Sequence, residues 1–308
     1  MHFKILLVVL FIIGNCVNGK QILNNQISWD FSSLVCTSYE NISCRGEKIR
    51  IPLESATDNI GRYFSPRIVG GSNAPEGYAP HMAALLAGEM VTMLFCGGSI
   101  VRPTLILTAA HCIETFVEPG GLTFHAVVGA TNWFTGGTAV QFKDYYIHPQ
   151  WDSTYIKNDL GFVIPEEDLK MGETVKMVAL NFNWVGGGEA SFVTGWGQVS
   201  NGGISPFHLQ ILEVNTLTPR RCIDEVKAAA TWWGGAPHVD PRIEICTLHS
   251  VGKGLCYGDS GSALISRRTG SQIGIASWAF TCARGVPDMY VRISGFKDYI
   301  QDIMEKHQ

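Results

Sequence analysis

Charge is scarce in this chain, and what there is does not cluster. Only 16% of the 308 residues are Asp, Glu, Lys or Arg, the formal net charge is -4, and no run of Lys and Arg occurs. That argues against a nucleic-acid partner, which selects for a basic stripe or patch. Long hydrophobic runs are missing too. The most apolar stretch, Ile5 to Ile13, has nine residues, whereas a membrane span takes roughly 20. No Cys-x-x-Cys pair occurs, which weighs against a zinc site. No internal repeat is visible.

What the chain does have is glycine and apolar residues. With 34 glycines and 46% hydrophobic residues it reads as a turn-rich globular protein able to bury a sizeable core. His2 and Lys4 precede the apolar run, and Val17 and Gly19 follow it like the small residues of a cleavage site. Residues 1–19 therefore read as a signal peptide, and the mature chain as secreted and extracellular. Removing them takes Cys16 and leaves eight cysteines: Cys36, Cys44, Cys96, Cys112, Cys222, Cys246, Cys256 and Cys282. An even number in a secreted chain points to disulfides, with on the order of 100 possible pairings. Zinc held by His111 and nearby cysteines is the competing reading.

Residues 20–67 are polar and irregular, and end at Ser65-Pro66-Arg67 before Ile68-Val69-Gly70-Gly71, a junction that reads as an activation site. Asn41-Ile42-Ser43 is a glycosylation sequon. From Ile68 onward short apolar stretches (Ser99 to Val101, Leu105 to Leu107, Ala126 to Val128, Gln272 to Ala276) alternate with Gly, Pro and Asn, the pattern of barrels or sandwiches. Ser294 to His307 carries apolar residues at helical spacing, with Ser294 available as N-cap.

The chemistry is concentrated in Gly258-Asp259-Ser260-Gly261, downstream of Thr108-Ala109-Ala110-His111-Cys112 and of Asn158-Asp159-Leu160. A serine hydroxyl is a poor nucleophile unless an imidazole takes its proton and a carboxylate orients that imidazole. A lone His among apolar residues is ordinarily structural, but here all three groups stand in matching contexts. Their order, His then Asp then Ser, differs from that of subtilisins and α/β-hydrolases.

In these motifs residues 68–308 resemble the chymotrypsin-like serine endopeptidases, closest in character to insect chymotrypsins. The resemblance implies an all-β fold of two antiparallel six-stranded β-barrels with a C-terminal helix packed on the second, preceded by an irregular pro-segment. His111 and Asp159 fall in the first barrel and Ser260 in the second. It implies that His111 is general base then acid, that Asp159 holds its tautomer, and that Ser260 attacks the scissile carbonyl. By the same resemblance, the oxyanion hole is expected at the N–H groups of Gly258 and Ser260. The resemblance further implies that cutting after Arg67 frees the amine of Ile68 to pair with Asp259. The implied disulfides are Cys96 with Cys112, Cys222 with Cys246 and Cys256 with Cys282, leaving Cys36 for Cys44.

Specificity follows the same resemblance. Gly254 stands where trypsin-like members carry an aspartate, and with Leu255 it implies a pocket for large apolar or aromatic side chains. Asp288 aligns with another pocket position, a pattern shared with arthropod collagenases and one that admits minor cleavage after Arg or Lys. Ser277, Trp278 and Ala279 match the segment that pairs with substrate backbone, and Ser277 also supports Asp159. Ser262 replaces a commoner glycine without an expected loss of catalysis. Trp232 and Trp233, in the long Cys222 to Cys246 segment, either flank the pocket or pack on the surface. The loop after Gly129 lacks the paired acids that bind calcium in some trypsins, so no metal or other cofactor is implied. Implied partners are peptide and protein substrates, an activating trypsin-like protease and protein protease inhibitors, for a monomer. Digestion is the simplest role, limited proteolysis in an immune or developmental cascade the alternative. A binding-only homologue would have a replaced Ser or His, and neither is replaced.

Overall fold

The computed structural model describes residues 68–88, 92–117, 123–280 and 282–307 in full, and the backbone of 35–38, 41–44 and 47–49. The chain divides into two compact units, Met1–Ser65 and Pro66–Gln308. In the first, β1 (Val35–Ser38), β2 (Asn41–Cys44) and β3 (Glu47–Ile49) form an antiparallel sheet. The composition there reads as irregular, because three- and four-residue strands are too short to display a period of two. The side chains of Cys36, Asn41 and Cys44, together with Arg67 and all of residues 1–19, lie outside the described residues.

The second unit opens with β4 (Ser72–Asn73) and continues into β5 (Met82–Ala87), β6 (Met93–Arg102), β7 (Leu105–Thr108), helix α1 (Ala110–Val117), β8 (Phe124–Val128), β9 (Thr138–Ile147) and β10 (Gly161–Pro165). Strands β5 to β10 close into a six-stranded barrel in the order β10-β7-β6-β5-β8-β9. Closure satisfies every sheet edge with another strand. Every residue of β5 is buried, because Ala83 and Leu85 point into one core while Met82, Ala84 and Leu86 meet a second cluster containing Trp133, Trp196 and Leu209. A strand covered on both faces loses its polar alternation and reads as a continuous apolar run. Each fully buried Leu or Ile contributes about 1.5–3 kcal/mol.

The second barrel comprises β11 (Ala190–Gly195), β12 (Gln210–Thr216), β13 (Glu244–Leu248), β14 (Ala263–Ser266), β15 (Gln272–Ala279) and β16 (Asp288–Arg292). Pairing runs β11-β14-β15-β16-β13-β12, the β11–β12 ladder closes it, and β4 adds to β12. Between β12 and β13 lies α2 (Pro219–Trp233). Thr218 caps it by accepting the Arg221 N–H at 3.3 Å, and Gly234 ends it at φ 74°. Proline tolerates the first helical turn and glycine the left-handed stop.

The chain ends in a 3-10 turn (Ile293–Phe296) and α3 (Lys297–Lys306). Two expectations about this end are corrected. Ser294 lies inside the 3-10 turn and caps nothing, since α3 begins after Phe296 without a side-chain cap. The helix also packs on the first barrel, in a core that holds Ile265, Ile275 and Val291 of the second as well. Tyr299 meets His148 and Phe162, Thr104 Oγ1 donates to the His307 carbonyl at 2.9 Å, and Ile300 and Ile303 join the core that holds Leu105 and Phe162. Among the described residues no helix is long and apolar enough to cross a membrane.

Candidate active site

His111 stands in the first turn of α1, directly after β7, and Asp159 in the connection from β9 to β10. Their contact is doubled. Asp159 Oδ1 accepts the His111 backbone N–H at 2.9 Å, and Oδ2 lies 2.8 Å from Nδ1. A carboxylate at Nδ1 holds the proton there and leaves Nε2 as the free base. Ser277 Oγ, from β15, donates to the same Oδ2 at 2.5 Å, so the second barrel also grips a carboxylate that is only 1% exposed. Burial lowers the His111 pKa, but the charge and hydrogen bond of Asp159, with a smaller pull from Glu114, outweigh it and hold the imidazole above 6.5.

Ser260 lies on the turn leading into β14, and both barrels anchor that turn. The Ser260 carbonyl accepts from Gly97 N–H of β6, and Gly261 N–H donates to Ala276 of β15, each at 2.7 Å. At Gly261, with φ 80°, a Cβ would come within 2.2 Å of both Gly97 O and Thr108 Oγ1, so only glycine fits. Ser260 and His111 line one recess of about 280 Å3 together with Leu255, Cys256, Tyr257, Ala276, Ser277, Trp278, Ala279 and Cys282. Among the described residues the imidazole's side-chain contacts are Asp159 Oδ2 at Nδ1 and, 3.7 Å from Nε2, Cys112 Sγ. Gly258 (φ 94°) and Ser260 have backbone N–H groups with no acceptor among the described residues.

Asp259 is turned away from the recess into the second barrel. It is fully buried and accepts Gly197 N–H at 2.9 Å and Cys256 N–H at 3.0 Å. Burial pushes its carboxyl up to about 7 against those two bonds. Gly195 and Gly197, which sequence reasoning did not single out, make room for it, since a Cβ at either would lie 2.3 Å from the carboxyl group. The flanking of Trp196 by two glycines is the signal that could have found them. Ile68 is fully buried in the same barrel beside Val193, Leu212 and Leu255, and the Val69 carbonyl accepts Gly254 N–H at 3.2 Å.

Gly254 and Asp288 stand together but do not line the recess. Asp288 Oδ2 accepts Leu255 N–H at 3.0 Å, and a Cβ on Gly254 would be 2.8 Å from that oxygen. Asp288 is 5% exposed, and burial, reinforced by the charge of Asp259, raises its carboxyl to about 7. Ser262 is buried, and its hydroxyl has no partner among the described residues. Trp232 is 87% exposed at the end of α2, and Trp233 lies 6.4 Å from Phe280; neither lines the recess.

Among the described residues, three disulfides join Cys96 to Cys112, Cys222 to Cys246 and Cys256 to Cys282. The first consumes both sulfurs of the Cys96, His111 and Cys112 group, the arrangement that could otherwise have held a metal. The Cys256–Cys282 bridge forms part of the recess wall.

Comparison with known proteins agrees with this geometry. The Trypsin family model matches residues 68–300. Chymotrypsin-2 of Vespa crabro is 31% identical over 235 residues, covering 76% of this chain and 98% of that protein. Trypsin delta of Drosophila erecta is 30% identical over 247 residues, covering 75% and 92%. Trypsin alpha-4 of Lucilia cuprina is 28% identical over 246 residues, covering 75% and 91%. A match running the length of both barrels, on a fold that sets a serine beside a carboxylate-held imidazole, means that the chain belongs to the trypsin family and is a serine endopeptidase.

Proposed function

We propose that the chain is a secreted zymogen, cut after Arg67, that hydrolyses peptide bonds after large apolar residues through an acyl-enzyme on Ser260. The carrying observation is the doubled His111–Asp159 contact, 2.8 Å at the ring, facing the recess that Ser260 shares. Ser260 Oγ attacks the scissile carbonyl carbon as its proton passes to His111 Nε2. The Gly258 and Ser260 N–H groups receive the oxyanion, each such donor being worth about 3 kcal/mol. Collapse breaks the C–N bond, the proton goes from Nε2 to the leaving amine, and water repeats the sequence to free the acid.

The apolar preference is supported by the lining of Leu255, Ala276, Ala279 and the Cys256–Cys282 bridge, and by an Asp288 carboxyl bound to backbone and largely withdrawn from solvent. Zymogen control is supported by the buried Ile68 and by Asp259, whose two partners are backbone N–H groups. An amine released at Ile68 would supply the missing positive charge. Secretion and a digestive role complete the reading. Substrates are proteins and peptides, the activator a protease cutting after Arg, and the enzyme a monomer open to protein inhibitors. A fluorophosphonate should label Ser260 in the cut enzyme and not in an uncut Arg67→Gln protein. Peptide anilides ending in Phe should outrun those ending in Arg. Label on the uncut protein, or a strong Arg preference, would overturn the corresponding part.

A further inference from the structure

One buried ion pair touches both barrels and the wall of the recess. Lys157 lies two residues before Asp159 in the β9–β10 connection, and Glu244 opens β13. Lys157 Nζ donates to both carboxylate oxygens at 2.9 Å, and the two side chains are 16% and 6% exposed. Glu244 Oε1 also accepts Trp278 Nε1–H at 3.1 Å, and Oε2 accepts Asp240 N–H at 2.7 Å. Each oxygen thus carries two donors, and the ammonium sits 6.0 Å from the Trp278 ring centre.

The backbone on each side is shaped to make these contacts. Ile156 (φ 50°) and Asn158 (φ 57°) flank Lys157 in the left-handed region, which a β-branched residue adopts only when its surroundings impose it. Asp152 helps to impose it: its backbone exchanges hydrogen bonds with Lys157 at 3.0 and 3.1 Å. Across the cleft, the β15–β16 register shifts between Ala276 and Trp278. Such a bulge re-aims neighbouring side chains. Ser277 there reaches Asp159, and Trp278 reaches Glu244. Two residues of one loop and two of one strand are therefore cross-tied through two carboxylates.

A buried ion pair is weak evidence of a stabilising role, because desolvation offsets its attraction. The geometry points to a different use: Lys157 and Glu244 are a positioning pair that fixes the Trp278 indole as the wall for substrate residues preceding the one in the recess. This rests on the peptidase reading above, and it assigns a part in extended-substrate selectivity to two residues outside the recess.

The test uses the activated full chain, a blocked Phe ester and a tetrapeptide anilide with the same Phe at the cleaved position. Variants are Lys157→Met, Lys157→Arg and the double Lys157→Met/Glu244→Leu, each checked for folding by thermal melting. The expected result is a fall in kcat/KM of about 10- to 100-fold on the tetrapeptide for Lys157→Met and the double variant, carried mainly by KM. The ester should change by less than about threefold, and Lys157→Arg should recover most of the loss. If Lys157→Met does not fold, the double variant, with no charge left unpaired, answers alone. A folded double variant that matches the parent on both substrates, or loses the same factor on both, overturns the inference. A parent enzyme that neither takes up label at Ser260 nor cleaves either substrate instead fails the peptidase reading, and the inference with it.

Discussion

The carboxyl of Asp259 should make the uncut protein lose stability as pH rises, the reverse of what a paired carboxylate does. Its folded pKa is raised from 3.8 to about 7. Between these values the folded state binds more protons than the unfolded one, so unfolding free energy falls as pH rises. The span corresponds to about 4 kcal/mol lost between pH 3 and pH 7 from this group, or roughly 10 °C in melting temperature for a chain of this size. Asp288, also at about 7, acts in the same direction. His81 opposes them, because burial lowers its pKa to about 4, and a neutral buried imidazole gains stability with pH between 4 and 6.5. Subtracting an Asp259→Asn curve from the Arg67→Gln parent isolates the one carboxyl. Asparagine can accept only one of the two N–H groups now facing Asp259, so the variant starts lower by about 1–3 kcal/mol, and slope rather than height is the readout. Melting curves at several pH values between 3 and 8 should show the parent falling relative to the variant. The cut enzyme should lose this slope, because the Ile68 ammonium would keep Asp259 ionised. A parent that gains on the variant with rising pH, or cut and uncut forms with the same slope, would refute the reasoning.

Other outcomes follow from single contacts. Because the raised His111 pKa belongs to a base that works in its neutral form, kcat/KM should climb with pH through an inflection above 6.5. Asp159→Asn should lower that inflection and cut kcat about 10,000-fold, read from stopped-time assays across pH. Gly261→Ala, forced onto Gly97 O and Thr108 Oγ1, should destabilise by more than about 2 kcal/mol in urea titration and depress labelling of Ser260. Ser262→Ala removes a buried hydroxyl without a partner among the described residues, so it should be neutral or stabilising by up to about 1 kcal/mol at unchanged kcat; a clear loss of stability would mean that the hydroxyl is bonded.

The reacting groups were legible because each sits in a short contiguous motif whose neighbours do local work: Gly258 and Gly261 adopt positive φ around Ser260, and Thr108 leads from β7 to His111. The apolar stretches 105–107, 126–128 and 272–276 read correctly as strands for a similar reason, since burial imprints apolar runs on the chain. Helix α2 had its boundary signals in Thr218, Pro219 and Gly234, which a search for short strands passes over.

Sequence by itself determined the residue types, the order of His111, Asp159 and Ser260, and hence the reaction class, because those depend on chemistry carried within a few residues. Which surface α3 covers was decided by tertiary structure, since an amphipathic stripe states that a face is buried and not against what. The same holds for the glycine cradle of Asp259 and for the withdrawal of Asp288 behind Leu255. It holds most clearly for the Lys157–Glu244–Trp278 tie, whose members lie 87 and 34 residues apart and are adjacent only once both barrels have closed.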